Sequence, residues 1–455
     1  MRHIFAGFIV ILLGSFVLAE SKLEIGFDGN IVANRWNPIK LTTRDQAAAT
    51  LSISIDRGNL RIGSLPISYS FDIPQSYGIA TFEEDIFIPK WQSFSWKLQS
   101  SEAVLASGSI DRRFANPQSL SLLISANPTK WLSGLAGRVA AVPSNVLTKR
   151  LASYDGISTI IIDGTAAAPR PDRLVAATSA GVTTVLMSPL PASHQSLTAI
   201  VPTGMQKIGA GLITRHAENE KLTIFHRDFK KVLAAYIENS KISVPSTRQQ
   251  GPIFIALIVF ALLIVILMWM GNKAAVMTSF SISILAIILV FNYLIPREKE
   301  LQQQQSLYIN SGELAKEIPV SSIFSLAGGE SSINNNAYVL EPKQFNYQNG
   351  STFVTLKRWS RVTMIHKPRL AKALLLYDGA YLENRSKQVL RDVYIKGIGF
   401  VEDLKPGKYL ITKQEDRRLP DLYRGIVSGL EPNTVIAHYG NNLLLAQVAN
   451  SEVSE

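Results

Sequence analysis

Between residues 125 and 194 this 455-residue chain places four side chains of the types that nucleophilic catalysis needs: Ser125, Asp163, Ser188 and His194. A serine hydroxyl is a poor nucleophile until an imidazole takes its proton, and a carboxylate has to hold that imidazole in the right tautomer. Ser125 or Ser188 with His194 and Asp163 would compose such a triad. The local machinery is missing, however. No G-x-S-x-G elbow forces a serine into an exposed, strained turn, and no G-x-G-x-x-G or Walker loop cradles a phosphate. The chain has no cysteine, which removes thiolate nucleophiles, thiolate metal sites, disulfides and a lipobox anchor. His366 and His438 stand apart from further ligands, so neither a metal nor a cofactor is expected. The same residue types close turns and cap helices. The reading is therefore a non-enzymatic chain, with an exported serine hydrolase using Ser125, Asp163, His194 and Ser188 as the alternative.

The elements that would carry these residues alternate between strand and helix over residues 113–245. Leu120 to Ile124 and Val139 to Val142 read as strands, ISTIII at Ile157 to Ile162 as a fully buried one, and Val182 to Met187 as another. Short helices are expected from Asn127, over Thr148 to Tyr154, from Pro171 to Ala180 and, amphipathic, from Asp228 to Ile237. That rhythm predicts a mainly parallel sheet covered on both faces. Ligands of such sheets lie beyond the strand carboxyl ends, where Ser125, Asp163 and Ser188 fall.

Residues 20–112 read differently, as short runs of β-branched and aromatic residues separated by turn sequences such as Asp28-Gly29-Asn30 and Pro74-Gln75-Ser76. Such spacing predicts a small β-sandwich with Trp36, Trp91 and Trp96 as core aromatics. Ahead of it, residues 1–19 have the form of an export signal: Arg2 and His3, an apolar stretch from Ile4 to Val17, and Ala19 at the cleavage position.

RWNPIKL (Arg35 to Leu41) in an opening sandwich, followed by LASYDGISTIIIDG (Leu151 to Gly164), resembles bacterial envelope proteins with a glutamine-amidotransferase-like α/β domain. The likeness spans residues 21–295 as architecture and implies a flavodoxin/amidotransferase-like parallel sheet, then a membrane anchor and more β-structure. The amidotransferases themselves need a cysteine after the central strand, with histidine and glutamate partners. This chain has Asp163-Gly164-Thr165 at that place, so the resemblance implies a catalytically empty derivative that serves envelope assembly or maintenance.

Residues 252–295 contain two apolar runs around Gly271-Asn272-Lys273, free of Lys, Arg, Asp and Glu within the runs. Each is long enough for a hydrocarbon core of about 30 Å, which predicts a two-helix transmembrane hairpin. Ala275, Ser279, Ser283 and Ala286 form a small-residue stripe suited to close helix packing. With the export signal, the hairpin would leave every large domain on the extracytoplasmic side of the bacterial inner membrane. REKELQQQQ, from Arg297 to Gln305, reads as a polar, helical spacer, and residues 306–455 as a C-terminal, mostly β domain.

A net charge of +11 raises nucleic acid, anionic lipid or an acidic polymer as partners. Lys357, Arg358, Arg361, Lys367, Arg369 and Lys372 form its densest interval, compatible with anionic lipid or glycan beside a membrane. No tract of the kind that grips nucleic acid is present. The expected partners are the lipid bilayer and other envelope or membrane proteins.

Overall fold

The computed structural model describes residues 21–56, 66–90, 93–110, 115–116, 119–132, 138–201, 204–217, 230–239, 300–325, 328–333, 337–339, 345–357, 360–411, 418–427, 430 and 433–447, with residues 262, 265, 266, 269, 277 and 278. Two compact units divide it: residues 1–226 with 346–350, and residues 227–345 with 351–455.

The first unit opens with β1 (Lys22–Ile25), β2 (Ile31–Val32), β3 (Arg35–Arg44), β4 (Ala49–Asp56), β5 (Pro66–Ile73), β6 (Ile79–Ile88), β7 (Ser93–Ser100) and β8 (Val104–Ser109). All but β2 form two antiparallel sets, β1-β3-β6 and β5-β4-β7-β8. Strict alternation sends Leu51, Ile53 and Ile55 of β4 and Ile67, Tyr69 and Phe71 of β5 inward, because successive side chains of a strand leave opposite faces. Trp36 of β3 lies opposite Phe87 of β6, their rings edge to face at 5.6 Å. Tyr347 packs against Tyr69 and Phe71 at 5.8 and 5.3 Å.

After β9 (Ala115–Asn116), which pairs with β2, the chain builds a second sheet in the same unit. Its strands are β10 (Leu120–Ile124), β11 (Arg138–Ala141), β12 (Ile157–Ile162), β13 (Thr183–Ser188), β14 (Met205–Ile208) and β15 (Gly211–Ala217), in the order β11-β10-β12-β13-β15-β14. All neighbours are parallel except β14 with β15. Helices α1 (Thr129–Leu132), α2 (Pro171–Ser179) and α3 (Gln195–Ile200) intervene. Both faces are covered. Leu122, Ile124, Ile160, Ile162 and Leu186 enter one apolar cluster, and Leu123, Ile161, Val185 and Met187 another. Phe27 and Val32 of the N-terminal β region belong to the first cluster, so the two layers share one core. The helix expected over Thr148 to Tyr154 is absent. Instead a 3-10 turn spans Ala152–Gly156, and the buried Tyr154 hydroxyl accepts from the Thr148 amide and donates to its carbonyl. A side chain thus satisfies the groups that a helix would have paired.

The second unit contains α4 (Lys230–Asn239), expected to close the parallel domain but packed here against a later helix. Strands β16 (Glu300–Asn310) and β17 (Leu314–Ser325) follow, then β18 (Gly329–Ile333), β19 (Ala337–Val339), β20 (Phe345–Gln348, of which residues 346–348 belong to the first unit), β21 (Ser351–Leu356), β22 (Ser360–His366) and β23 (Arg369–Lys372). The chain ends with β24 (Leu375–Tyr377), β25 (Tyr381–Asn384), β26 (Arg391–Ile395), β27 (Gly399–Phe400), β28 (Gly407–Leu410), α5 (Asp421–Val427), β29 (Val435–Tyr439) and β30 (Asn442–Ala446). The main sheet runs β19-β22-β17-β16-β30-β29-β26-β27, with β23 also on β17. Helix α5 is the partner of α4: a Cβ at Gly425 would stand 3.2 Å from that of Ala235.

Two expectations are corrected here. The spacer at Arg297 to Gln305 is not helical where described: β16 carries the glutamines in an antiparallel ladder, from Gln302 opposite Ile323 to Gln305 opposite Val320. The backbone ladder to β17 fixes the strand, and the glutamine side chains stay exposed or half-buried. The two-helix transmembrane hairpin over residues 252–295 is also not supported. Among the described residues no helix is long and apolar enough to cross a membrane, and the fold is a predominantly β chain of several sheets. Of that stretch only residues 262, 265, 266, 269, 277 and 278 are described, all helical. Ala275, Ser279, Ser283 and Ala286 lie outside the described residues, as do the export signal at residues 1–19, Trp91 and Arg358.

Candidate functional site

The chain leaves β10 for β11 on one side, then crosses back to β12 on the other. At such a reversal the loops after the two strands diverge and open a crevice beyond their carboxyl ends. Ser125 follows β10 and Asp163 follows β12, so the topology sets them on either side of that crevice. Their direct contact is short: Ser125 Oγ donates to Asp163 Oδ2 at 2.5 Å.

Three further donors converge on the same carboxylate. Trp131 Nε1 reaches Oδ2 at 2.9 Å, while Thr165 supplies its hydroxyl at 2.7 Å and its amide at 3.0 Å to Oδ1. The Ser125 oxygen in turn accepts from the Asn127 amide at 2.9 Å, and Thr165 Oγ1 from the Ala126 amide at 2.8 Å. Burial pushes the Asp163 carboxyl up, but the bonds from Ser125, Thr165 and Trp131 outweigh it and leave the group below the ordinary aspartate range. It is ionised at neutral pH, and every donor on it is uncharged. The crevice, about 410 Å³, is walled mainly by Trp131, Met187, Pro189, Leu190 and Pro191.

The hydrolase geometry is not assembled. His194 closes a 3-10 turn, Ala192–His194, with Nδ1 3.0 Å from the hydroxyl of its neighbour Ser193. Its Nε2 is buried without a hydrogen-bond partner. Burial holds the imidazole below its usual pKa, against the pull of the Asp163 charge. Among the described residues no hydrogen bond joins His194 to Ser125 or Ser188. Ser188 ends β13 and lines the crevice ahead of a cis peptide to Pro189. The carboxylate that should orient the base binds the candidate nucleophile instead.

Gly164 tightens the same conclusion. Its φ is +77°, and a Cβ there would stand 2.7 Å from Pro191 Cδ and 3.1 Å from Leu190 Cδ2. Position 164 of the turn after β12 accepts no side chain without moving the opposite wall.

Sequence reasoning placed Ser125, Asp163 and Ser188 at strand ends and missed Trp131 and Thr165 as partners of the carboxylate. The Asp163-Gly164-Thr165 string was the available signal, since an aspartate commonly binds its own backbone two residues on.

The remaining sequence candidates sit in the second unit. His366 Nε2 lies 2.6 Å from Ser321 Oγ, both residues buried, with Nδ1 unpartnered. Among the described residues no acid hydrogen-bonds to that ring. Beside it, the buried Glu317 carboxylate receives a forked pair of bonds from Arg369, at 2.7 and 2.9 Å, plus the hydroxyls of Ser306 and Tyr308. This clamp ties β16, β17 and β23 together and withdraws Arg369 from the basic interval. His438 stacks on Tyr423 at 5.5 Å. Among the described residues no group of three metal-ligating side chains occurs. No protein-family model matches the chain, and no curated protein is detectably similar to it.

Proposed function

We propose that this chain is a non-catalytic envelope protein that acts by docking other proteins, exported to the outer face of a bacterial cytoplasmic membrane. The parallel layer is read as a catalytically empty relative of the glutamine-amidotransferase-like domain, serving envelope assembly or maintenance. One observation carries the non-catalytic part: Asp163 accepts the Ser125 hydroxyl while His194 pairs only with Ser193. The Asp163 carboxylate, held by three further donors and below its ordinary pKa, is a weak base for an alcohol proton, and no imidazole reaches Ser125 among the described residues. The absence of cysteine and the blocked position at Gly164 support the same reading. Exposed Leu262, Val265, Ile266, Trp269 and Met277 favour association with an apolar surface. The unabsorbed basic side chains Lys357 and Lys372 favour anionic lipid or glycan nearby.

Labelling of the purified protein with a fluorophosphonate probe tests the first part. The expected result is no labelling above that of Ser125→Ala. Covalent labelling of Ser125 or Ser188 would remove the non-catalytic reading. Crosslinking from intact membranes, with protease digestion of spheroplasts, tests the docking role and the compartment: specific protein partners and external cleavage are expected.

A further inference from the structure

We infer that the crevice at the β10/β12 reversal receives a lysine or arginine side chain presented by an apolar stretch of a partner polypeptide. The inference rests on the docking reading and names the chemistry of the docked segment. Charge decides first. Asp163 is the one ionisable group among the described residues lining the crevice, and Ser125, Thr165 and Trp131 orient its carboxylate without neutralising it. An anionic ligand would meet an uncompensated like charge. A cationic one would supply the missing counter-charge in a half-enclosed site, where screening is weaker than at an open surface.

Shape and polarity decide the rest. Trp131, Met187, Pro189, Leu190 and Pro191 make the walls apolar, so a hydrated metal ion or a small polyamine would leave them wet. The volume, about 410 Å³, exceeds what one ammonium group fills and admits the aliphatic stem of a basic residue with apolar neighbours. Long basic side chains bury their stems on apolar surface while the head stays polar. Entry does not strand the serine. Thr165 Oγ1 lies 3.3 Å from Ser125 Oγ, so the Ser125 hydroxyl has a second acceptor when an incoming N–H takes its place on Oδ2.

The test uses the full chain and three probe peptides, acetyl-Leu-Lys-Leu-amide and its norleucine and glutamate counterparts, titrated by calorimetry at low and high salt. The lysine peptide is expected to bind about two- to fivefold tighter than the norleucine peptide, the size of effect one partly exposed ion pair gives. That advantage should shrink as salt rises and vanish in Asp163→Asn. Equal binding of the lysine and norleucine peptides, preference for glutamate, or no binding of lysine overturns the inference. The peptide ranking on the unmodified chain decides this even where Asp163→Asn does not fold. Mass spectrometry of the recovered peptides separates the two readings. Cleavage that is lost in Ser125→Ala overturns the non-catalytic reading itself, whereas intact but unbound lysine peptide overturns only the inferred ligand.

Discussion

Ser153 donates its hydroxyl to the carboxylate of Asp85, a contact that joins the 3-10 turn before β12 to the β6 strand of the N-terminal β region. Both residues are buried. Arg150 stands 3.9 Å from Asp85 and 2.7 Å from Glu84, and Arg35 stands 3.7 Å from Asp155. Polar contacts therefore line the seam whose apolar part is formed by Phe27, Val32 and Tyr154. Ser153→Ala leaves a buried carboxylate with one donor fewer, which costs about 1–3 kcal/mol. The expected result is a lowered thermal transition for the first unit, and earlier proteolysis of residues 21–217, with the second unit unaffected. An unchanged transition would mean that the other partners of Asp85, Arg150 among them, satisfy it without Ser153.

Gly164 and Gly29 form a controlled pair for the crevice. Their φ values are +77° and +76°, but a Cβ at Gly29 meets nothing within 4 Å, whereas one at Gly164 meets Pro191 and Leu190. Gly29→Ala should cost about 1 kcal/mol, the strain of a left-handed alanine. Gly164→Ala should cost about 1–3 kcal/mol more, since overpacking adds to that strain. Thermal denaturation of both variants measures the difference. Equal losses would show that Leu190 and Pro191 yield freely, and that the crevice wall is soft.

Helix α4 provides a test of which unit owns residues 230–239. Gly425 of α5 leaves only 3.2 Å between its absent Cβ and Ala235, so Gly425→Leu drives a side chain into α4. Overpacking of this kind costs about 1–3 kcal/mol. Limited proteolysis should show earlier cleavage in the second unit, with the first unit cut at the unmodified rate. Loss of protection across residues 120–217 instead would return α4 to the parallel layer.

What the sequence made legible followed from burial. Ile157–Ile162 reads as an interior strand because a parallel strand covered on both faces has no polar side to display, and all its residues but Ser158 are buried. The amphipathic period of α4 was equally visible, but a period names a face and not its partner. β16 was hidden because Gln302 to Gln305 have no apolar alternation of their own. Their strand conformation comes from the β17 ladder, a contact no local window contains. The turn at Ala152–Gly156 replaced an expected helix for a related reason: Tyr154 reaches back to Thr148. At the candidate site Ser125 and Asp163 meet each other, whereas His194 pairs with Ser193. Ser, Asp and His are read by type, whereas hydrogen-bond direction depends on loops whose path one sequence does not specify.

His366 and Glu317 predict an acid sensitivity of the second unit in two stages. Burial lowers the His366 imidazole to about 4, with the Arg369 charge adding to it. An unfolded histidine titrates near 6.5. Between about pH 6.5 and 4 the unfolded chain therefore takes up a proton that the folded one refuses, and stability falls as pH falls, by about 3 kcal/mol across the window. The contribution is complete above about pH 6.5. Glu317 acts lower. Burial raises its carboxyl, but bonds from Arg369, Ser306 and Tyr308 outweigh it and hold the group below the usual glutamate range. Its stabilisation is present above the unfolded value, near pH 4.3, and is lost as pH falls through the lower folded value. Urea titration followed by the second unit's proteolytic protection should show the first slope flattened in His366→Gln and the second in Glu317→Gln. A first slope that survives His366→Gln would assign that proton uptake to another group, with His438, whose pKa burial also lowers against the pull of Asp392, the next residue to replace.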